Sequence, residues 1–526
     1  MASIENPILP GFNPDPSIVR VDDNFYIATS TFEWFPGVQI HHSKDLVNWR
    51  LLGHALTRKS QLDLTGVSAS CGVWAPCLSH DGSLFHLIFT NVHSHHGDTY
   101  KDTPNFLVTA PEITGPWSEP IYLNSSGFDP SMFHDDNGRK WLVNMVWDYR
   151  QKGVKKFAGI VLREYSPEQK RLVGPIRNIF KGSDLGVTEG PHLYKRNGWY
   201  YLLTAEGGTG CEHAVTIARS RDIDGPYEID PENPILTSRD KPDVVLRKAG
   251  HGSIVDTPNG EWYLAHLCSR RVKGRSMLGR ETAIQKCRWT DDGWFRLANG
   301  TATPDTEVSA PNLPLHPFEP LPVRDEFDRD TLDVNFSTLR LPTGPEWQSL
   351  TQRPGFLRLY GRESLVSRFD LHFVARRFQH FRFRAQTCLE YDPETWQQTA
   401  GLVCFYNNLN YYYLFVSCDD HGNRVLGLTF SDNGKTSYPL DNLTDISGWP
   451  RFHLRVNVTE REMRFSASPD EHSWKQIGDV HDSTKLSDDY TRGWGFTGAF
   501  VGVTAQDLRG TRKAADFGYF DYEPEG

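Results

Sequence analysis

No stretch of the 526 residues is apolar for the length of a membrane-spanning helix, so a helical membrane protein is excluded. The first residues, MASIENPILPGFNPDPSIV, carry neither the basic segment nor the apolar segment of a signal peptide, and the cytoplasm is the expected compartment. None of the eight cysteines forms a CxxC pair, and their spacing fits no zinc pattern. Most stand in apolar runs such as GLVCFYNN and YLFVSC, where a reduced, buried thiol is expected. The five Asn-x-Ser/Thr sequons, at Asn124, Asn299, Asn335, Asn442 and Asn457, then read as chance. Methionine is scarce, at 5 residues, and no long segment has an amphipathic helical period. Positive charge is in the minority: 56 Lys and Arg against 66 Asp and Glu give −10, which speaks against a nucleic-acid partner or an anionic membrane surface.

Aromatic residues are abundant, with 15 Trp, 20 Tyr and 30 Phe beside 44 Gly and 33 Pro. That mixture points to a β-rich chain with many turns. A hydrophobic share of 38% with 23% charged residues is that of a folded protein, and the length asks for at least two domains.

One segment recurs five times: DPSIVRVDDNFYIATS from Asp15, APCLSHDGSLFHLIFT from Ala75, DPSMFHDDNGRKWLVNM from Asp129, GPHLYKRNGWYYLLTA from Gly190 and HGSIVDTPNGEWYLAHL from His251. Each copy is an apolar strand, a polar turn and an aromatic-rich strand, the pattern of a β-hairpin. The anchors Pro16, Pro76, Pro130, Pro191 and Gly252 follow at 60, 54, 61 and 61 residues. A second hairpin follows each copy, as in HSKDLVNWRLLGHAL and YSPEQKRLVGPIRNIF. Two hairpins make a four-stranded sheet, and five sheets predict an all-β, five-bladed β-propeller over residues 1–303. Residues 304–322 hold six prolines and read as a stiff, extended connector. Residues 323–526 alternate in short strand-like runs, such as FHLRVNVTE, and predict a concanavalin-like β-sandwich.

In a propeller the first strand of each blade lines the central channel, so equivalent repeat positions converge at one mouth. Those positions hold Asp15, Asp129 and His251, with Glu189 just before Gly190. An Asp before Pro at a strand start often only caps a turn. Three acids from three blades shift the reading to catalysis. Gathered together they repel, so one should hold a proton near neutrality. One ionised and one protonated carboxyl group facing a pocket are the equipment for glycoside hydrolysis.

The motifs NPDPSI, TSTFEWFPGVQIHHSKDLVNW, GVWAP, GFDPS, TEGPHLY, LGRETAIQ and GFTGAFVG stand in order along the chain. In them the sequence resembles the glycoside hydrolase family 43 β-xylosidases with a propeller and a C-terminal sandwich. The resemblance implies Asp15 as general base, Glu189 as general acid and Asp129 as the residue that keeps the acid protonated and oriented. It implies that Arg280 binds sugar hydroxyls and that Phe32, Trp74 and Trp147 wall the sugar pocket. His251 is expected to order water or hold a calcium ion on the axis, with a hydrogen-bonded structural histidine as the alternative. No cofactor is required.

Phe496 is expected to lean from the sandwich over the mouth and close one end, which implies exo action. The implied reaction is inverting release of xylose from the non-reducing ends of β-1,4-xylo-oligosaccharides, with the two carboxyl groups roughly 6.5–9.5 Å apart. Arabinofuranosidase action, alongside or as the main activity, is the alternative within the family, and a carbohydrate-binding propeller without turnover is the alternative outside it. Homo-oligomers are an expectation from analogy of architecture alone. Cys77 stands where the family often has an acid, which puts a role for that side chain in doubt. The loop carrying His93, His95 and His96 reads as a solvated, histidine-rich turn and not as a metal site.

Overall fold

The computed structural model describes residues 2–95, 99–438, 443–493 and 495–525. His96 and the sequon residue Asn442 lie outside them. Among the described residues there is no α-helix, and no helix long and apolar enough to cross a membrane.

The repeat folds as five sheets, each paired in chain order from the inside outwards. Blade one is Ser17–Val21, Asn24–Thr29, Gly37–Ser43 and Arg50–Leu56. The innermost strands of the others are Gly72–His80, Ser131–His134, Glu189–Arg196 and Arg247–Asp256. Each packs on the next, and Arg247–Asp256 meets Ser17–Val21 to close the ring. Closure gives every blade a neighbour on both faces, so that both are covered. The hairpin turns follow from their residues: Asn197 and Gly198, between Glu189–Arg196 and Trp199–Glu206, take φ of 50° and 73°, the left-handed pair a two-residue hairpin needs.

The proline-rich stretch is not a free spacer. Glu307–Ser309 pairs antiparallel with Ser3–Glu5, and the His316 amide donates to Asp45 at 2.6 Å. The connector therefore lies along the propeller and pins the N-terminal strand to it.

The sandwich stacks an eight-stranded sheet on a nine-stranded one. Its core shows the period of two that makes a strand one-sided: in Phe452–Thr459, the side chains of Phe452, Leu454, Val456 and Val458 are buried while Arg455 and Asn457 are half-exposed. Each such buried aliphatic contributes roughly 1.5–3 kcal/mol relative to exposure.

The two domains share a sheet. Trp34–Phe35, from the loop of blade one, pairs with Ser337–Leu339 as an edge strand of the nine-stranded sheet. The Trp34 ring stacks on Phe500, with centroids 3.6 Å apart. Arg340 donates to the Val67 carbonyl at 2.6 Å, and its own amide donates to the Glu33 carbonyl at 3.0 Å. Bonds of this kind fix the sandwich against one mouth of the propeller.

Candidate active site

In four of the five repeats the residue just before the anchor adopts the left-handed backbone. Asp15, Asp129, Gly190 and His251 have φ of 55°, 53°, 56° and 45°. For the three that are not glycine this conformation is costly, and such strain collects at functional sites. These residues lie at or near the starts of the innermost strands, where the side chains of Asp15, Asp129, Glu189 and His251 line one cavity. Blade two departs from the pattern. Its strand starts at Gly72, four residues before Pro76, and brings no acid.

The acids meet in one cavity of about 420 Å³, lined by all nine residues singled out from the sequence. Asp15 is buried, and its Oδ2 accepts from the Ser30 hydroxyl at 2.7 Å. Its Oδ1 accepts from Arg280 Nη1 at 3.1 Å and lies 3.7 Å from His251 Nδ1. Burial works to raise its pKa, but Arg280, His251 and the Ser30 hydroxyl together hold it below the ordinary value. Glu189 has the opposite balance: burial, then the charge of Asp15, push its pKa up to about 8. Asp129 is also raised well above the usual range, by burial and then by Glu189 and Asp15. Its Oδ2 accepts from the Gly190 amide at 3.1 Å, which ties blade three to the backbone directly after Glu189. Within one cavity, therefore, one carboxyl group favours its charge and two favour their protons.

Arg280 does more than face a sugar. The neighbouring Glu281 is taken by Arg270 at 2.8 Å, which leaves Arg280 free for the cavity. Its Nη1 reaches Asp15 and, at 3.1 Å, Thr209; its Nε and Nη2 donate to the Phe496 carbonyl at 3.3 and 3.1 Å. The Phe496 amide in turn donates to Ser70 Oγ at 3.1 Å. The sandwich segment is thus anchored at both of its backbone groups over the propeller mouth. The Phe496 ring meets Trp74 edge-on at 5.7 Å and Phe32 at 6.1 Å. Trp147 forms another wall, its indole N–H on the Thr99 carbonyl at 3.0 Å and Lys101 Nζ 4.2 Å from its ring centre.

One expectation needs correcting. His95 is not solvated: it is buried, lines the cavity and packs edge-on against Trp74 at 4.9 Å. The cause is a short hairpin, Ser94–His95 with Lys101–Asp102, which turns the imidazole inwards. His93 is exposed, as a solvated loop requires.

The sequence reading also missed His213, Lys101, Phe128 and Phe157, which line the cavity. Only Phe128, in the motif GFDPS just before Asp129, carried a signal; the others sit away from the anchors. Burial holds the His213 imidazole neutral, with a pKa near 3. Cys77 is buried on the innermost strand of blade two, away from the cavity lining, and burial raises its thiol to about 11. It is a packing residue. All eight cysteines are unpaired.

Among the described residues, one cluster has the ligand types of a metal centre: Asp81, His86 and His134. It lies at the far ends of the innermost strands, and Lys140 Nζ already sits 2.6 Å from Asp81.

Phe496→Ala is expected to raise KM for a xyloside by about tenfold, equivalent to about 1.4 kcal/mol of lost contact. It should leave kcat less affected, because the backbone bonds to Arg280 and Ser70 remain. Steady-state kinetics on 4-nitrophenyl β-D-xyloside checks the split, and an unchanged KM would remove the ring from the binding wall.

Comparison with known proteins agrees with the geometry. Residues 4–295 match the family described as Glycosyl hydrolases family 43, and residues 324–523 match the Beta xylosidase C-terminal Concanavalin A-like domain. The chain is 50% identical to Xylosidase/arabinosidase 43B of Humicola insolens over 100% of its own length and 98% of the relative's. It is 51% identical to Beta-xylosidase of Bacillus subtilis (strain 168) over 99% of both. The crystal structure of xylan beta-1,4-xylosidase from Bacillus halodurans C-125 superposes with a TM-score of 0.97 at 54% identity, over 99% of this chain and 100% of that one. With three acids of opposed proton affinity in one cavity, a propeller followed by a concanavalin-like sandwich and full-length kinship, the chain belongs to glycosyl hydrolase family 43 and is a glycoside hydrolase.

Proposed function

We propose that the protein is an exo-acting, inverting β-xylosidase that releases xylose from the non-reducing ends of β-1,4-xylo-oligosaccharides. The observation that carries this reading is the opposed charge preference of Asp15 and Glu189 in one walled cavity. Glu189, protonated at neutral pH, gives its proton to the glycosidic oxygen as positive charge grows at the anomeric carbon. Asp15, ionised, takes a proton from the water that attacks the opposite face. Asp129 holds the Glu189 segment through the Gly190 amide. Arg280 keeps Asp15 charged and offers N–H groups to sugar hydroxyls. A cavity of about 420 Å³ closed on one side by Phe496 suits a chain end, not a chain interior.

Burial keeps His251 neutral, so its imidazole is able to ligate a cation. Asp15, the nearest carboxylate, is engaged by Arg280 and Ser30, so most of the six to eight oxygens that calcium takes would come from water. A cytoplasmic setting and an oligomeric state belong to the same proposal; cell fractionation and light scattering test them.

The name of the Humicola relative covers two sugars, which favours side activity on α-L-arabinofuranosides as the second reading. Rates on the paired 4-nitrophenyl glycosides decide the order. The β-D-xyloside is expected to be the faster substrate, and preference for the arabinoside would reverse it.

The pH profile is a further test. Activity requires Asp15 ionised, so kcat/KM falls as pH drops through a pKa held below the ordinary carboxylate value. It requires Glu189 protonated, so kcat/KM falls again as pH rises through about 8. The limbs belong to the coupled set of acids. An alkaline limb at an ordinary carboxylate pKa would contradict this assignment.

A further inference from the structure

A second cavity, of about 820 Å³, lies at the seam between the domains and shares no lining residue with the first. Blade one contributes His41 and residues 47–51, the proline-rich stretch contributes residues 317–321, and the sandwich contributes Arg377.

Arg377 is the anomaly in its wall. It is 7% exposed, yet among the described residues no carboxylate lies near enough to shift its charge equilibrium. Burial, with Arg376 adding to it, pulls its pKa down to about 9. Its Nη1 donates to Gln39 Oε1 and, at 3.5 Å, to Asn13 Oδ1, while its Nε has no partner. The same Asn13 oxygen also takes Gln39 Nε2 and His41 Nε2, each at 3.1 Å. Donors outnumber acceptors: three serve one amide oxygen and a buried N–H is left over. A buried guanidinium is ordinarily paired, and leaving it unpaired is costly.

Acids at the cavity do not supply the partner. Asp333 is engaged by Arg329 at 3.0 Å and Asn335 at 2.6 Å, and Glu319 is exposed. The remaining walls include Trp49 and Phe318, with the Arg50 guanidinium over one face of Phe318, 4.6 Å from its ring centre.

We propose that this cavity is a second ligand site, for a carboxylate-bearing sugar whose carboxylate pairs with Arg377 and whose ring lies against Trp49 and Phe318. A guanidinium donates to a carboxylate in a charge-assisted hydrogen bond, and the added negative charge would offset the uncompensated charge of Arg377. Aromatic faces and this volume suit a sugar ring better than a bare ion.

The test is calorimetric titration with D-glucuronate, with inorganic phosphate as the second probe, followed by a crystal structure with glucuronate bound. Saturable glucuronate binding is expected in the wild type, weakened at least tenfold in Arg377→Gln and reduced in Trp49→Ala at the more open wall. Because the charge of Arg377 is uncompensated, Arg377→Gln should keep or raise the thermal midpoint, so lost binding is not lost folding. Glucuronate located beside Arg377 in the crystal would support the site. Equal binding in Arg377→Gln, no binding at all, glucuronate found only beside Arg280, or phosphate binding as tightly as glucuronate would each overturn it.

Discussion

Glu189→Gln should lower kcat/KM on xylobiose by about 10²–10⁴, the usual contribution of a general acid. Glutamine keeps the shape of the side chain but has no acidic proton to give at neutral pH. The loss should depend on the leaving group. Xylobiose must expel a sugar alkoxide and needs the proton; 2,4-dinitrophenyl β-D-xyloside expels a stable phenolate and does not. The variant should therefore stay close to wild type on the activated substrate. The alkaline limb near pH 8 should also vanish, since the group that titrates there is gone. Full activity on xylobiose would remove Glu189 from the acid role. An equal loss on both substrates would assign it a structural role instead.

Asp15→Asn should produce a loss of the same order, about 10²–10⁴, but on both substrates alike. Water must be activated whatever leaves. The substitution has a second consequence that separates it from simple damage. The charge of Asp15 is, after burial, the main influence holding Glu189 protonated. Removing it should move the alkaline limb to lower pH. It also takes an ionic partner from Arg280, which keeps Thr209 and the Phe496 carbonyl. The fold should persist, and circular dichroism checks that it does. A variant that retains activity, or whose alkaline limb does not move, would show that Asp15 is not the charged partner of Glu189.

These two variants rest on positions that could be read before any coordinates. The repeat fixes where innermost strands begin, and strand starts are where a propeller gathers its side chains, so Asp15, Asp129, Glu189 and His251 were legible from phase alone. Glu189 stands one place earlier than the other three, a shift that Gly190 absorbs in its left-handed conformation.

What could not be read depends on contacts between distant segments. Arg280 and Phe496 are 216 positions apart, and Phe496 and Ser70 are 426 apart; no local period reports such bonds. The same holds for Trp34–Phe35, which lies between strands of blade one in the chain but pairs as an edge strand of a sandwich sheet. His95 was misjudged because a polar composition signals a solvated loop, whereas the two-residue pairing with Lys101–Asp102 turns one of its side chains inwards. Arg377 ends the strand Phe373–Arg377, which is buried throughout and carries two arginines, and only the surroundings of Arg377 reveal that its charge lacks a partner.

The central claim is that water attacks the face opposite the leaving group, in one step, with Asp15 as base and Glu189 as acid. Proton NMR of the xylose first released from a β-linked substrate, recorded before mutarotation, tests it most directly. The α-anomer should appear first; initial accumulation of the β-anomer would contradict the mechanism.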